Sequence, residues 1–333
     1  MRTLNTERAV VIAALLAVIS TSASGQSATR APRDGERIGS VVYALAQYES
    51  LTPAVRKEVD RTATRSAYDS TVRDTRFVLE RTRYGSDGLS VVAYVYRPAR
   101  EIGRRPTIIY SKGSYVTGDM APVLAPMFHR LAVAGFNVVA PQYRGSDGGE
   151  GKDEMGGADV NDVLNAIKLA LGMSGVDSSQ LFLYGESRGG MMTYQAIRDH
   201  APVRAAAVVG GFTDLDSLLA ADPRSRGAAN VIWPDYATRA NEIASRRSAA
   251  RWAGAITVPV LILHGGADPQ VSPRQAMRLA SELDALGRTY ELRIFSGGSH
   301  TLFARAAERD AAVAEWFRRY LGATAPAPRP TTP

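Results

Sequence analysis

The chain of 333 residues contains no cysteine. That excludes disulfides, thiolate nucleophiles and cysteine-ligated zinc, although it does not exclude export, because secreted proteins can fold without disulfides. Histidine is nearly as scarce: His129, His200, His264 and His300 are the whole supply, so an imidazole base must be one of four. No G-x-G-x-x-G follows the first strand-like run, and no H-E-x-x-H occurs; neither a nucleotide nor a metal cofactor is expected. The glycine-rich stretch from Gly145 to Asp153 resembles a phosphate loop only superficially. Its Gly-to-Gly spacing is one residue too long, Asp153 replaces the Ser or Thr, and Asp147, Glu150 and Asp153 would repel an anion. The net charge is +7, but the arginines are scattered and form no stripe or block, so no nucleic-acid partner is expected.

Long hydrophobic runs are also missing, except near the N-terminus. Arg2 and Arg8 lead into an apolar run from Ala9 to Ile19, and small residues follow from Ser20 to Gly25. This is the pattern of a cleaved secretory signal, and the run falls short of the roughly 20 residues that span a bilayer. The expectation is a signal peptide over 1–25, a secreted or periplasmic protein, and no stable membrane anchor after cleavage.

What remains is enough apolar sequence for a sizeable core: 45% of residues are hydrophobic. Residues 26–75 read as a flexible lead, Gln26 to Glu36, followed by a helical extension in which Val41 to Tyr68 carries apolar residues near helical spacing. Residues 76–322 read as the main domain. Phe77 to Arg83 and Leu89 to Arg97 flank the turn Gly85-Ser86-Asp87-Gly88 as a hairpin. Short apolar runs then alternate with helical stretches. Thr107–Tyr110, Val138–Ala140, Leu181–Tyr184, Ala205–Val209, Val260–Leu263 and Tyr290–Phe295 are expected strands. Ala121–Ala134, Ala158–Leu171, Gly189–Asp199, Pro273–Leu286 and Leu302–Tyr320 are expected helices. Continuous apolar strands between amphipathic helices predict a mostly parallel sheet covered on both faces. The polar, helical stretch 214–253 interrupts the alternation and is expected to form a small helical cap over the strands' carboxyl ends, where ligands bind in such folds. Residues 323–333, rich in Ala, Pro and Thr, read as a disordered tail.

One motif carries chemistry. Gly185-Glu186-Ser187-Arg188-Gly189 matches the nucleophile elbow G-x-S-x-G and sits between an expected strand and an expected helix. That context makes a weak pattern specific and predicts an α/β-hydrolase fold with Ser187 as nucleophile. A serine needs a base, and the base needs an orienting carboxylate, in the chain order Ser, Asp, His. His300 lies in Ser296-Gly297-Gly298-Ser299-His300, after the last expected strand, and is the candidate base. His129 reads as a surface or packing residue, His200 as a helix-end residue, and His264 as structural. Asp268, on the loop after Val260–Leu263, is the candidate acid; Asp214 and Asp216 are alternatives that read better as loop-shaping or helix-capping residues. The oxyanion hole needs two donors. The Arg188 backbone N–H should supply one. Ser111-Lys112-Gly113-Ser114-Tyr115 should supply the other, from the N–H of Gly113 or Ser114 or the Tyr115 hydroxyl. Trp233 and Tyr236, within the cap, are candidates either for the substrate pocket or for the cap's own core.

At these residues the chain resembles the catalytic domain of the prolyl oligopeptidase family. The resemblance runs from about Asp87 to Tyr320. It rests on Asp87-Gly88-Leu89 with Tyr94-Val95-Tyr96-Arg97-Pro98, on Gln142-Tyr143-Arg144-Gly145-Ser146, and on Gly157-Ala158-Asp159-Val160-Asn161-Asp162. It also rests on Ser187-Arg188-Gly189-Gly190-Met191-Met192 and on His264-Gly265-Gly266-Ala267-Asp268 with Val271-Ser272-Pro273. The resemblance implies the triad Ser187, Asp268 and His300. Larger members carry a β-propeller; here only about 50 residues lie between the signal and the hairpin, too few for roughly 4–8 blades. The family's frequent His-Gly-Gly-Pro is replaced by Lys112-Gly113-Ser114-Tyr115. The leading expectation is an exported serine-type peptidase acting through an acyl-enzyme on a small peptide. A carboxylic ester hydrolase of the same fold is the alternative, and a non-catalytic hydrolase-fold binding protein is the rival from another class. The sequence leaves the oligomeric state open.

Overall fold

The apolar runs extend far enough to join a single sheet. The computed structural model describes residues 30–114, 120–221 and 223–322; the expected signal segment 1–25, Tyr115 and the tail 323–333 lie outside the described residues. In chain order the strands are β1 (Arg37–Val42), β2 (Phe77–Ser86), β3 (Leu89–Pro98), β4 (Arg105–Ser111), β5 (Asn137–Pro141), β6 (Val176–Glu186), β7 (Ala205–Val209), β8 (Val260–Gly265) and β9 (Tyr290–Phe295). The helices are α1 (Pro53–Thr62), α2 (Arg65–Arg73), α3 (Ala121–Val133), α4 (Val160–Leu171), α5 (Arg188–Arg198), α6 (Leu215–Ala221), α7 (Pro223–Ile232), α8 (Tyr236–Arg247), α9 (Arg274–Ala285) and α10 (Ala306–Arg318).

Across the sheet the order is β1-β2-β3-β5-β4-β6-β7-β8-β9. The first four neighbours pair antiparallel, and every pairing from β5 through β4 to β9 is parallel. The order reverses around β4, which opens a crevice at the carboxyl ends of the central strands. Side chains alternate across the sheet as the strand period requires. Ile109, Val139, Leu183 and Val208 pack with Val163, Ile167, Met192 and Leu279 from α4, α5 and α9. Ile108, Val138, Phe182 and Ala207 pack with Phe128, Leu131, Val313 and Phe317 from α3 and α10. This is an α/β-hydrolase architecture, with apolar layers on both faces of a mostly parallel sheet.

Three expectations need correction. First, Val41 does not begin a helix: β1 takes Val41 and Val42 into register with Arg81 and Glu80. Adjacent β-branched residues beside an open strand edge favour extended backbone. Helix begins only at α1, where the Thr52 hydroxyl accepts from Val55 N at 3.3 Å and Pro53 opens the first turn. Second, the described part of the lead is tied to the domain, by Gly35 N to Gly85 O at 2.8 Å and Lys168 Nζ to Asp34 at 3.1 Å. Third, the last helix starts later than expected. His300–Arg305 form a 3₁₀ turn with Thr301 and Leu302 at φ 58° and 59°, and α10 begins at Ala306.

The tightest approach in the fold lies where β6 turns into α5. A Cβ on Gly189 would stand 1.8 Å from Ser111 O, and one on Gly185 would stand 2.3 Å from Gly189 O. Both neighbours are backbone and cannot swing aside. Gly189→Ala should therefore cost at least about 3 kcal/mol by overpacking. Gly39→Ala in β1, where a Cβ meets nothing within 4 Å, should leave the melting temperature within a degree or two. Thermal unfolding of the two variants checks the contrast.

Candidate active site

The turn between β6 and α5 sets the first residue of the site. Ser187 has φ 54° and ψ −119°, a backbone region that a side chain enters only when its surroundings enforce it. Ser187 N donates to Val209 O at 2.8 Å, which pins the turn to β7, and Gly190 N donates to Ser187 O at 2.9 Å. The hydroxyl is left partly exposed at the carboxyl edge of the sheet.

The fold brings Ser187, His300 and Asp268 together. His300 Nε2 lies 2.8 Å from Ser187 Oγ, and His300 Nδ1 lies 2.7 Å from Asp268 Oδ2. In the matching tautomer the imidazole donates from Nδ1 to the carboxylate and accepts the serine proton at Nε2. Asp268 is held on both oxygens. Oδ1 accepts from Gln270 N at 2.8 Å and Val271 N at 2.9 Å, while Oδ2 also lies 3.2 Å from His264 Nε2. Burial pushes the Asp268 carboxyl up, but hydrogen bonds from His264, His300 and Val271 outweigh it and hold the acid well below the usual carboxylate range. His264 is fully buried, and its Nε2 donates to Val271 O at 2.8 Å. It thus braces the acid loop, a partner for Asp268 that sequence pattern did not disclose.

Two backbone N–H groups, on the first turn of α5 and on the adjacent loop after β4, make no hydrogen bond among the described residues. Arg188 is the first residue of α5, so its N–H has no acceptor within the helix. Gly113 is buried on the loop after β4, and its N–H makes no hydrogen bond among the described residues. Ser114 is exposed. The Arg188 side chain was unforeseen. Its guanidinium is buried, bonds both oxygens of Asp153 at 2.6 Å, and reaches Asp159 Oδ2. It also lies 4.6 Å from the centre of the Tyr143 ring. Burial lowers the Arg188 pKa, but Asp153 and Asp159 more than reverse this and keep it firmly charged. This pairing offsets much of the cost of burying the charge. Tyr143, Asp153 and Asp159 lie well upstream of Arg188 in the sequence, so only the fold could bring the cluster together.

The remaining candidates are spoken for elsewhere. His129 Nε2 lies 2.9 Å from Asp74 and packs edge-on against Phe77 and Tyr96. His200 is an exposed residue just past α5 with φ 65°. Asp214 Oδ1 accepts from Ser217 N at 3.0 Å at the start of α6, and Asp216 pairs with Arg251. Trp233 is buried; its Nε1 donates to Glu154 O at 3.0 Å, and Tyr236 packs on it with ring centres 6.1 Å apart. Trp233 also lines, with Asp153, Ile243 and Arg247, a cleft of about 300 Å³ between α8 and the 152–157 loop. Asp147, in the phosphate-loop look-alike, accepts from Tyr94 Oη at 2.9 Å and pairs with Arg81. Among the described residues no group of His, Asp and Glu is arranged to hold a metal ion, and no helix is long and apolar enough to cross a membrane.

Comparison with known proteins gives the family. A sequence profile described as the prolyl oligopeptidase family matches residues 125–324. The chain is 29% identical over 220 residues to the uncharacterized peptidase YtmA of Bacillus subtilis (strain 168), covering 65% of this chain and 84% of that protein. Among solved structures it is similar to a Mycobacterium tuberculosis puromycin-hydrolyzing peptidase, with a TM-score of 0.64 and 28% identity over 74% of this chain and 40% of that one. A Pyrococcus horikoshii acylaminoacyl peptidase shares the fold, with a TM-score of 0.62 and 20% identity over 78% of this chain and 44% of that one. The chain therefore spans less than half of these two solved chains.

One charge in the site carries a measurable cost. Lys112, just before Gly113, is buried with its ammonium 5.0 Å from the centre of the Tyr143 ring and, among the described residues, no carboxylate within ion-pair distance. Burial, helped by Arg188, lowers its pKa to about 8. The folded state thus binds this proton more weakly than the unfolded chain, whose Lys titrates at roughly 10.4. The penalty is full below pH 8 and fades as pH rises from about 8 to about 10.4. Lys112→Met should be more stable than wild type at pH 7, by on the order of 3 kcal/mol, and this advantage should vanish near pH 10.5. Denaturant titrations of both proteins across that range check the sign.

Proposed function

The chain belongs to the prolyl oligopeptidase family, and from that premise we propose that it is a serine peptidase acting through Ser187, His300 and Asp268. The observation that carries the reading is the unbroken hydrogen-bond chain from Ser187 Oγ through His300 to Asp268, at 2.8 and 2.7 Å. In this reading the backbone N–H groups of Arg188 and Gly113, which make no hydrogen bond among the described residues, serve the oxyanion.

The mechanism follows from the atoms present. Ser187 Oγ attacks the substrate carbonyl as its proton passes to His300 Nε2. The carbonyl oxygen becomes an oxyanion, stabilised by the N–H groups of Arg188 and Gly113. His300 then protonates the leaving amine, and the C–N bond breaks to give an acyl-Ser187. Water, deprotonated by His300, attacks the acyl carbon and releases the acid. Asp268 keeps the imidazole in the productive tautomer and stabilises its cation. The relatives named as peptidases support a peptide substrate; an ester would follow the same path with an alcohol leaving. The N-terminal pattern from Arg2 to Gly25 supports export, so the proposed place of action is outside the cytoplasm.

A fluorophosphonate should label wild-type protein and fail to label Ser187→Ala; equal labelling of both would sink the serine assignment. Asp268→Asn should retain the fold and lower kcat by about 10⁴. A panel pairing aminoacyl and acylaminoacyl nitroanilides with short-chain nitrophenyl esters should give amide cleavage. Ester turnover without any amide cleavage would transfer the assignment to an esterase. Cell fractionation with an antibody should find mature protein outside the cytoplasm, shortened at its N-terminus.

A further inference from the structure

Tyr143 lies in the segment just after β5, and its side chain is fully buried among charges. Its backbone is held at φ 66°, a costly choice for a residue with a side chain. Its hydroxyl donates to Lys112 O at 2.8 Å. The ring carries Arg188 at 4.6 Å and Lys112 at 5.0 Å from its centre.

The Lys112 carbonyl belongs to the same peptide unit as the Gly113 N–H. A trans peptide is planar, with its C=O and N–H pointing in opposite directions. Pinning the Lys112 oxygen therefore also aims the Gly113 N–H. From the other side, Ser111 O and Lys112 O press against the start of α5, where a Cβ on Gly189 would meet them at 1.8 and 2.7 Å. The loop is thus caught between α5 and the Tyr143 hydroxyl. The same aromatic ring lies against the side-chain guanidinium of Arg188, whose backbone N–H is the other proposed donor.

We propose that Tyr143 is the positioning residue of the oxyanion hole, its hydroxyl orienting the Lys112–Gly113 peptide while its ring packs against the Arg188 guanidinium. Burial raises the phenol pKa far above its ordinary value, so the hydroxyl stays a donor over the whole working range of pH. The inference rests on Ser187 being the nucleophile and adds to it the element that sets the hole.

Tyr143→Phe tests it, because the ring and its two cations stay while the bond to Lys112 O is lost. On the best substrate of the panel, kcat should fall about tenfold or more, with KM within a factor of two. That is part of the roughly 10²–10³ lost when an oxyanion donor is removed outright. Binding of a phenylboronic acid, whose tetrahedral adduct on serine places an oxygen in the hole, should weaken by the same factor as kcat/KM. The rate of fluorophosphonate labelling should also fall. Tyr48→Phe, which removes a hydroxyl bonded to Asp60 at 2.6 Å on an exposed surface, should behave as wild type. A Tyr143→Phe protein with wild-type kcat and boronate affinity would overturn the inference. So would a loss confined to KM, or one matched by an equal loss of folded protein by circular dichroism. A wild type that itself fails to label sinks the serine assignment and this inference together. A wild type and variant that label at equal rates sink only the inference.

Discussion

The structure turns on how closely β6, α5 and the loop after β4 approach one another. Ser187 holds φ 54° where Gly185 lets the first turn of α5 close over the end of β6 and Gly189 lets the backbone of Ser111 and Lys112 come within contact distance of that turn. That approach sets the partly exposed Ser187 hydroxyl and the first N–H of α5 beside the loop that carries Gly113. Any side chain at Gly185 or Gly189 would push them apart. The parallel order β4-β6-β7-β8-β9 then brings the acid and histidine loops to the same sheet edge, so residues 187, 268 and 300 meet without further insertions.

Around this point the protein keeps an unusual amount of buried charge. Arg188 is locked to Asp153 and Asp159. Arg309, fully buried on α10, donates to Thr301 O at 2.8 Å and to Asp310 at 2.7 Å, and lies 4.0 Å from Glu186. Glu186 immediately precedes Ser187, and Thr301 immediately follows His300, so one guanidinium spans the two loops that must keep register. Removing one partner of such a buried pair typically costs about 3–5 kcal/mol, whereas an apolar cluster of the same volume is often as stable. The charges therefore do little for net stability. They give direction, because a guanidinium fork accepts only one arrangement of its carboxylates and carbonyls. Lys112, with no carboxylate partner among the described residues, is the extreme case.

Much of this could be read along the chain. The apolar runs later found as β4 to β9 were visible because parallel strands buried on both faces are nearly continuous in hydrophobicity. Asp268 and His300 could be chosen because each follows such a run. The N-terminal region misled, because Val41 and Val42 sit at the sheet edge, where exposure removes the alternation that marks a strand. Thr52-Pro53 and Thr64 did carry usable helix-start signals. The 3₁₀ turn after His300 left no mark, since Thr301 and Leu302 are poor candidates for positive φ and are held there by tertiary contacts such as the bond from Arg309.

By itself the sequence determined the α/β-hydrolase architecture, the elbow at Ser187 and the short list from which its partners come. These are local properties: strand and helix periodicity, and a turn that only glycine permits. The tertiary structure alone decided that His264 braces Asp268, that Arg188 turns inward to Asp153 and Asp159, and that Tyr143 holds the Lys112 carbonyl. Each joins residues whose individual types are unremarkable in sequence. A buried ion pair or a pinned peptide exists only when the fold removes water from both partners at once, and no periodicity along the chain records that.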